Sequence, residues 1–161
     1  MLMGIDVEGR VQSAVDYFMR GYNCTQAVVL AFQDILGADE KTIGLLTVGL
    51  GGGVSRLREV CGTVLAMAVV AGSVSGAEGL EPHQQKMAVY PNVQKMAARF
   101  REENGAIVCR ELLGLRAGEK QDPQPEARDN AYYQTRPCLR YVGSAARIIA
   151  EFVQTQTIAK I

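Results

Sequence analysis

Cys24, Cys61, Cys109 and Cys138 are the residues of this chain best suited to chemistry. Four thiols are enough for one metal or iron–sulfur site, or for two disulfides. Successive cysteines stand 37, 48 and 29 residues apart. Zinc fingers and ferredoxins bring their ligands in close pairs, so a site shared by these four has to be assembled by the fold. Cys24 follows a candidate cap, Asn23, and Cys138 follows Pro137, a good first-turn residue, so both fall in the first turn of an expected helix. Cys61 follows Arg56 and Arg58, and Cys109 precedes Arg110 near the start of a short helix. Unpaired N–H groups at a helix start favour a thiolate, so the expectation is activated sulfur with a lowered pKa. The competing reading is that all four pack as small hydrophobes, a common fate of free cysteine.

Other chemistries find less support. The run Gly49-Leu50-Gly51-Gly52-Gly53 follows no strand and leads into no Gly-Lys-Ser/Thr, so it is not a nucleotide loop. A tight interhelical turn is expected there, and Gly51, Gly52 and Gly53 with Arg56 are the candidates for a backbone nest that holds an anion, a thiolate or a cofactor. His83 is the single histidine and lies in a polar stretch, which disfavours a hydrolytic triad or a histidine-rich metal site. No Cys-x-x-Cys-His occurs, so there is no haem attachment motif. Glu59 and Glu111 each neighbour a cysteine and an arginine, which surface ion pairing explains.

The elements that position these residues read as helices throughout. The 161 residues suit one domain, 48% are hydrophobic, and 17 basic residues balance 17 acidic ones. That balance gives no net field for nucleic acid or an anionic membrane, and neither partner is expected. The first ten residues lack the pattern of a secretory signal, so a cytoplasmic location is expected, where structural disulfides are disfavoured. Residues 60–77 carry no charge but are diluted by glycine, serine and threonine, which favours a buried helix over a membrane span.

Periodicity predicts an all-α single-domain bundle of about six helices. Helix one is expected from Asp6 to Gly21, helix two from Asn23 to Gly37, and a third from Asp39 to Val48. A fourth is expected from Arg56 or Arg58 to Val74, with Cys61 inside it and small residues at Gly62, Ala66, Ala68, Gly72 and Gly76, suited to the bundle centre or a homodimer seam. Residues 81–104 form the longest run, with Tyr90, Val93, Ala97 and Phe100 on one stripe and Pro91 as a kink or a true start. A short helix around Ile107–Leu113, an exposed loop over 116–130 and a final helix from Pro137 complete the expectation. The last buries Cys138, Tyr141, Val142, Ala145, Ile148, Ile149 and Phe152.

Taken together, Gly21–Val28, the glycine run with Arg56, Glu59–Gly62, Cys109–Gly114, and Cys138 with Tyr141-Val142 and Ala145-Ala146 resemble the redox-active four-cysteine family labelled C-GCAxxG-C-C. The resemblance covers about residues 10–155. It implies a small helical bacterial or archaeal cytoplasmic protein whose four cysteines act together in redox or metal chemistry. A similar region occurs in split-Soret cytochromes, where an iron–sulfur pocket is the natural reading. Two departures stand out: the CGAxxG element reads Cys61-Gly62-Thr63-Val64-Leu65-Ala66, and Ser55 and Arg58 occupy positions where the family tends to place glycine.

Three functional readings follow. In the first, the cysteines converge for electron transfer with an unidentified redox partner, as iron–sulfur ligands or as dithiol/disulfide pairs. In the second, they form a structural or sensing zinc site. In the third, they are inert filler in a helical interaction protein. No substrate or catalytic base can be read from the chain.

Overall fold

The computed structural model describes residues 4–76 and 79–159. Nine right-handed α-helices occur among them: α1 Val7–Met19, α2 Cys24–Leu30, α3 Gln33–Leu36, α4 Glu40–Thr47, α5 Gly62–Ser75, α6 Pro82–Asn104, α7 Cys109–Leu112, α8 Asn130–Thr135 and α9 Cys138–Ala159. The described residues contain no strand, only an isolated bridge between Val60 and Val108. No helix among them is long and apolar enough to cross a membrane.

Several helix starts follow from local side-chain chemistry. Asp6 accepts from Gly9 N, Asp39 accepts from Thr42 N, and Asn23 and Gln26 close a reciprocal capping box. Gly37 and Gly105 end α3 and α6 in the left-handed conformation. Other expectations need correction. The second helix breaks at Phe32, whose fully buried ring enters the core from a residue with non-helical φ of −119°. The fourth begins at Gly62, leaving Arg56 and Arg58 outside it and Cys61 at its cap. The longest helix starts at Pro82 and runs through Pro91, while Tyr90, expected on the apolar stripe, stands 59% exposed. The 116–130 loop gives way at Asn130 to α8, capped by Asp129.

The core is walled by α1, α2, α5, α6 and α9 around Phe18, Phe32, Met67, Phe100, Ile148 and Ile149. α5 carries no charged side chain and packs against α2, α6 and α9, so it is the central helix. Of its small residues, Gly62 and Ala66 are buried against these neighbours, while Ala68, Gly72 and Gly76 are half-buried. At the final helix Tyr141, Val142, Ala145, Ile148 and Ile149 are buried as expected, whereas Cys138 and Phe152 are only half-buried.

Candidate thiol site

Each cysteine is delivered by a different element. The Asn23 cap starts α2 and puts Cys24 in its first turn, where the sulfur accepts from the backbone of Gly52 and Thr25. That sulfur lies flat against Gly62: a Cβ there would stand 2.4 Å from Cys24 Sγ and 2.4 Å from Thr25 Oγ1. Thr25 is fully buried and donates to Gly62 O at 2.9 Å, locking α2 onto the start of α5.

Cys61 and Cys109 are set by one another's strands of backbone. Cys61 N donates to Ile107 O at 2.8 Å, Cys109 N to Glu59 O at 2.6 Å and Arg110 N to Arg58 O at 3.1 Å. Cys61 then caps α5, its sulfur 3.1 Å from Thr63 Oγ1, and Cys109 opens α7. Cys138 opens α9 behind Pro137. All four line a single cavity of about 70 Å³, together with Gly52, Arg58, Thr63 and Tyr132.

Between the short 3-10 helix Val48–Leu50 and Cys61 the chain makes a left-handed helical turn. Gly52, Gly53, Val54, Ser55 and Arg56 all have positive φ, from 51° to 70°, and Arg58 follows at 61°. Ser55 N donates to Gly51 O, Arg58 N to Gly52 O and Glu59 N to Gly53 O, which closes the turn. L-residues pay roughly 1–2 kcal/mol each for this conformation, and a β-branched valine is a clear outlier in it. Such strain persists where the surrounding structure holds it, often at functional sites. Gly53 is required by contact as well: a Cβ there would meet Cys109 Cβ at 2.8 Å and Glu59 N at 2.7 Å. Ser55 and Arg58, the two positions where the resemblance leads one to expect glycine, both hold the left-handed conformation that favours it.

The glycine-run candidates therefore divide by role. Gly52 lines the thiol cavity, Gly53 backs Cys109, and Gly51 lies against the Asn23 side chain. Arg56 does not line the thiol cavity, donating instead to Asp122 O and pairing with Glu126 at 3.7 Å. The cation that reaches the sulfurs is Arg58, only 6% exposed, which donates to Cys109 Sγ at 3.7 Å and to Gln121 Oε1 at 3.2 Å. Arg128 and Tyr132 were not legible as site residues. The Arg128 guanidinium stacks 4.2 Å from the Phe18 ring and 4.7 Å from Tyr132, while donating to Phe18 O and Tyr22 O. No local pattern announces this, because Phe18 and Tyr22 lie over a hundred residues away.

The expected lowering of the thiol pKa is overturned at Cys24, Cys61 and Cys138. Burial pushes Cys61 up to about 12, reinforced by the charge of Cys24, and pushes Cys138 up to about 12, reinforced by Cys24 and Cys109. Cys24 is also raised, chiefly by burial, against the hydrogen bond from Gly52. Helix-start N–H groups are present, but loss of water outweighs them. All four cysteines are free thiols. Among the described residues no three Cys, His, Asp or Glu side chains are gathered as ligands of one metal ion.

No match was found among curated proteins or among solved structures. A family model does match: residues 22–152, from just before Cys24 to beyond Cys138, fit the family described as "Putative redox-active protein (C_GCAxxG_C_C)". The segments that carry the four thiols and the left-handed turn all fall inside that match, and the chain belongs to this four-cysteine redox-active family.

Proposed function

We propose that this protein is a thiol redox protein whose four cysteines exchange electrons as dithiol/disulfide pairs. The observation that carries this reading is the single cavity that all four sulfurs line. Cys24 and Cys109 are electrostatically coupled to one another and each to Cys61 and Cys138, which suits sulfurs that exchange within one set. In each cycle two thiols become one disulfide, releasing two protons and two electrons to a partner's disulfide, which is reduced to two thiols. Arg58 supports Cys109 as the attacking sulfur, since a fixed guanidinium stabilises negative charge there as attack begins.

Iron–sulfur and zinc ligation draw on the same donor set, since thiolates are the right chemistry for either. Both would require the sulfurs to turn toward one centre, since among the described residues no three ligand side chains are gathered for one ion. The present arrangement does not fit a metal group without that rearrangement, so no step is routed through one.

Anaerobically purified protein titrated in dithiol/disulfide buffers tests the reading. The expected result is a reversible mass loss of two hydrogens per disulfide formed within the chain, at a defined midpoint. Stoichiometric iron with sulfide, or stoichiometric zinc, would replace it with ligation. Four thiols that never oxidise and bind no metal would reduce the protein to a helical module with packed cysteines.

A further inference from the structure

Beside the thiol cavity lies a larger one of about 380 Å³, open to solvent, between the left-handed turn and the 116–130 segment. The two share Asn23, Gly52, Arg58, Arg128, Tyr132 and Cys138, so the outer one is a vestibule to the inner. Four guanidiniums line the vestibule, those of Arg56, Arg58, Arg128 and Arg136, against the single carboxylate of Glu126. Glu126 spans Arg56 and Arg136. Among the described residues no carboxylate pairs with Arg58 or Arg128. Arg58 is also the one buried charged residue described, and its side-chain partners there are the Gln121 amide and Cys109 Sγ, neither of them a carboxylate.

A buried cation without a counter-charge is costly, and arginine forks match carboxylate and phosphate oxygens. We infer that the vestibule binds a small molecule carrying carboxylate or phosphate-type oxygens and presents it to Cys138, the one cysteine on the wall of both cavities. The size suits a metabolite-scale ligand. Glu126 then acts as an internal competitor, holding two of the four guanidiniums until a ligand anion takes them. This substrate class rests on the thiol redox reading.

Iodoacetate and iodoacetamide deliver the same electrophile, one as an anion and the other neutral. On the reduced full-length protein at mildly alkaline pH, the rate ratio of iodoacetate to iodoacetamide at Cys138, read by peptide mass, is expected to exceed that of the urea-unfolded chain about tenfold. Inorganic phosphate or succinate, at matched ionic strength against chloride, should abolish the excess. Protection by one of these and not the other identifies which oxygen chemistry the site takes. The exposed substitution Glu126→Gln should raise the ratio further, and Arg136→Gln should lower it. A ratio equal to that of the unfolded chain, or an excess indifferent to both competitors and to Glu126→Gln, overturns the inference. Cys138 alkylated by both reagents without charge preference would refute the vestibule while leaving the redox reading intact. Folded protein that ends in no reaction with either reagent, after full labelling in urea, would refute the proposed delivery to Cys138, and the disulfide titration then decides the redox reading separately.

Discussion

Gly62 and Gly72 lie on the same central helix, and the same substitution is expected to act on them with opposite sign. At Gly72 an added Cβ meets nothing within 4 Å, so Gly72→Ala collects only the helix-propensity gain of about 0.8–1.0 kcal/mol. At Gly62 the Cβ would stand 2.4 Å from Cys24 Sγ and 2.4 Å from Thr25 Oγ1, more than 1 Å inside ordinary contact. Neither neighbour gives way easily. Thr25 is fully buried and anchored to Gly62 O, and Cys24 is held by the Gly52 amide. Overpacking of this kind costs typically about 1–3 kcal/mol, and the propensity gain is reduced at a first-turn position, so Gly62→Ala should destabilise by about 1–2 kcal/mol. Urea unfolding of both variants under reducing conditions reads the difference as opposite shifts of midpoint at constant slope. Gly62→Ala should also change the alkylation rate of Cys24, because the clash is with its sulfur. Two stabilised variants, or two destabilised ones with Cys24 unaffected, would refute the close approach of α2 and α5 on which the thiol cavity depends.

Two further expectations concern ionisation and strain. Cys61 keeps its proton up to about 12 in the folded chain, whereas an unfolded cysteine releases it near about 8.5. Its contribution is therefore complete below that lower value and is lost as pH rises toward the folded one, at up to about 1.4 kcal/mol per pH unit. Wild-type stability should fall more steeply than that of Cys61→Ala across this alkaline window, and parallel profiles would contradict the burial effect. Val54 holds φ of 65° while 36% exposed, so Val54→Gly should relieve strain at little loss of packing and stabilise by about 1 kcal/mol in the same urea assay. Destabilisation would mean that the left-handed turn is not strained at that residue.

What the amino-acid order determined by itself is the set of decisions made within a turn or so of chain. Asp6, Asn23 and Asp39 cap helices because the groups they bond are three residues away, and Gly37 and Gly105 end helices because only their own backbone has to turn. The all-α class follows from apolar spacing, and the family from the order of short motifs around the cysteines. The tertiary structure alone decided where water is excluded. Phe32 breaks a helix to fill the core, Tyr90 turns outward, and Arg58 rather than Arg56 reaches a sulfur. The direction of thiol ionisation belongs to the same class. A helix start is a local feature and argued for thiolates, but the desolvation that reverses it comes from walls contributed by α2, α5, α7 and α9, which meet only when the chain is folded.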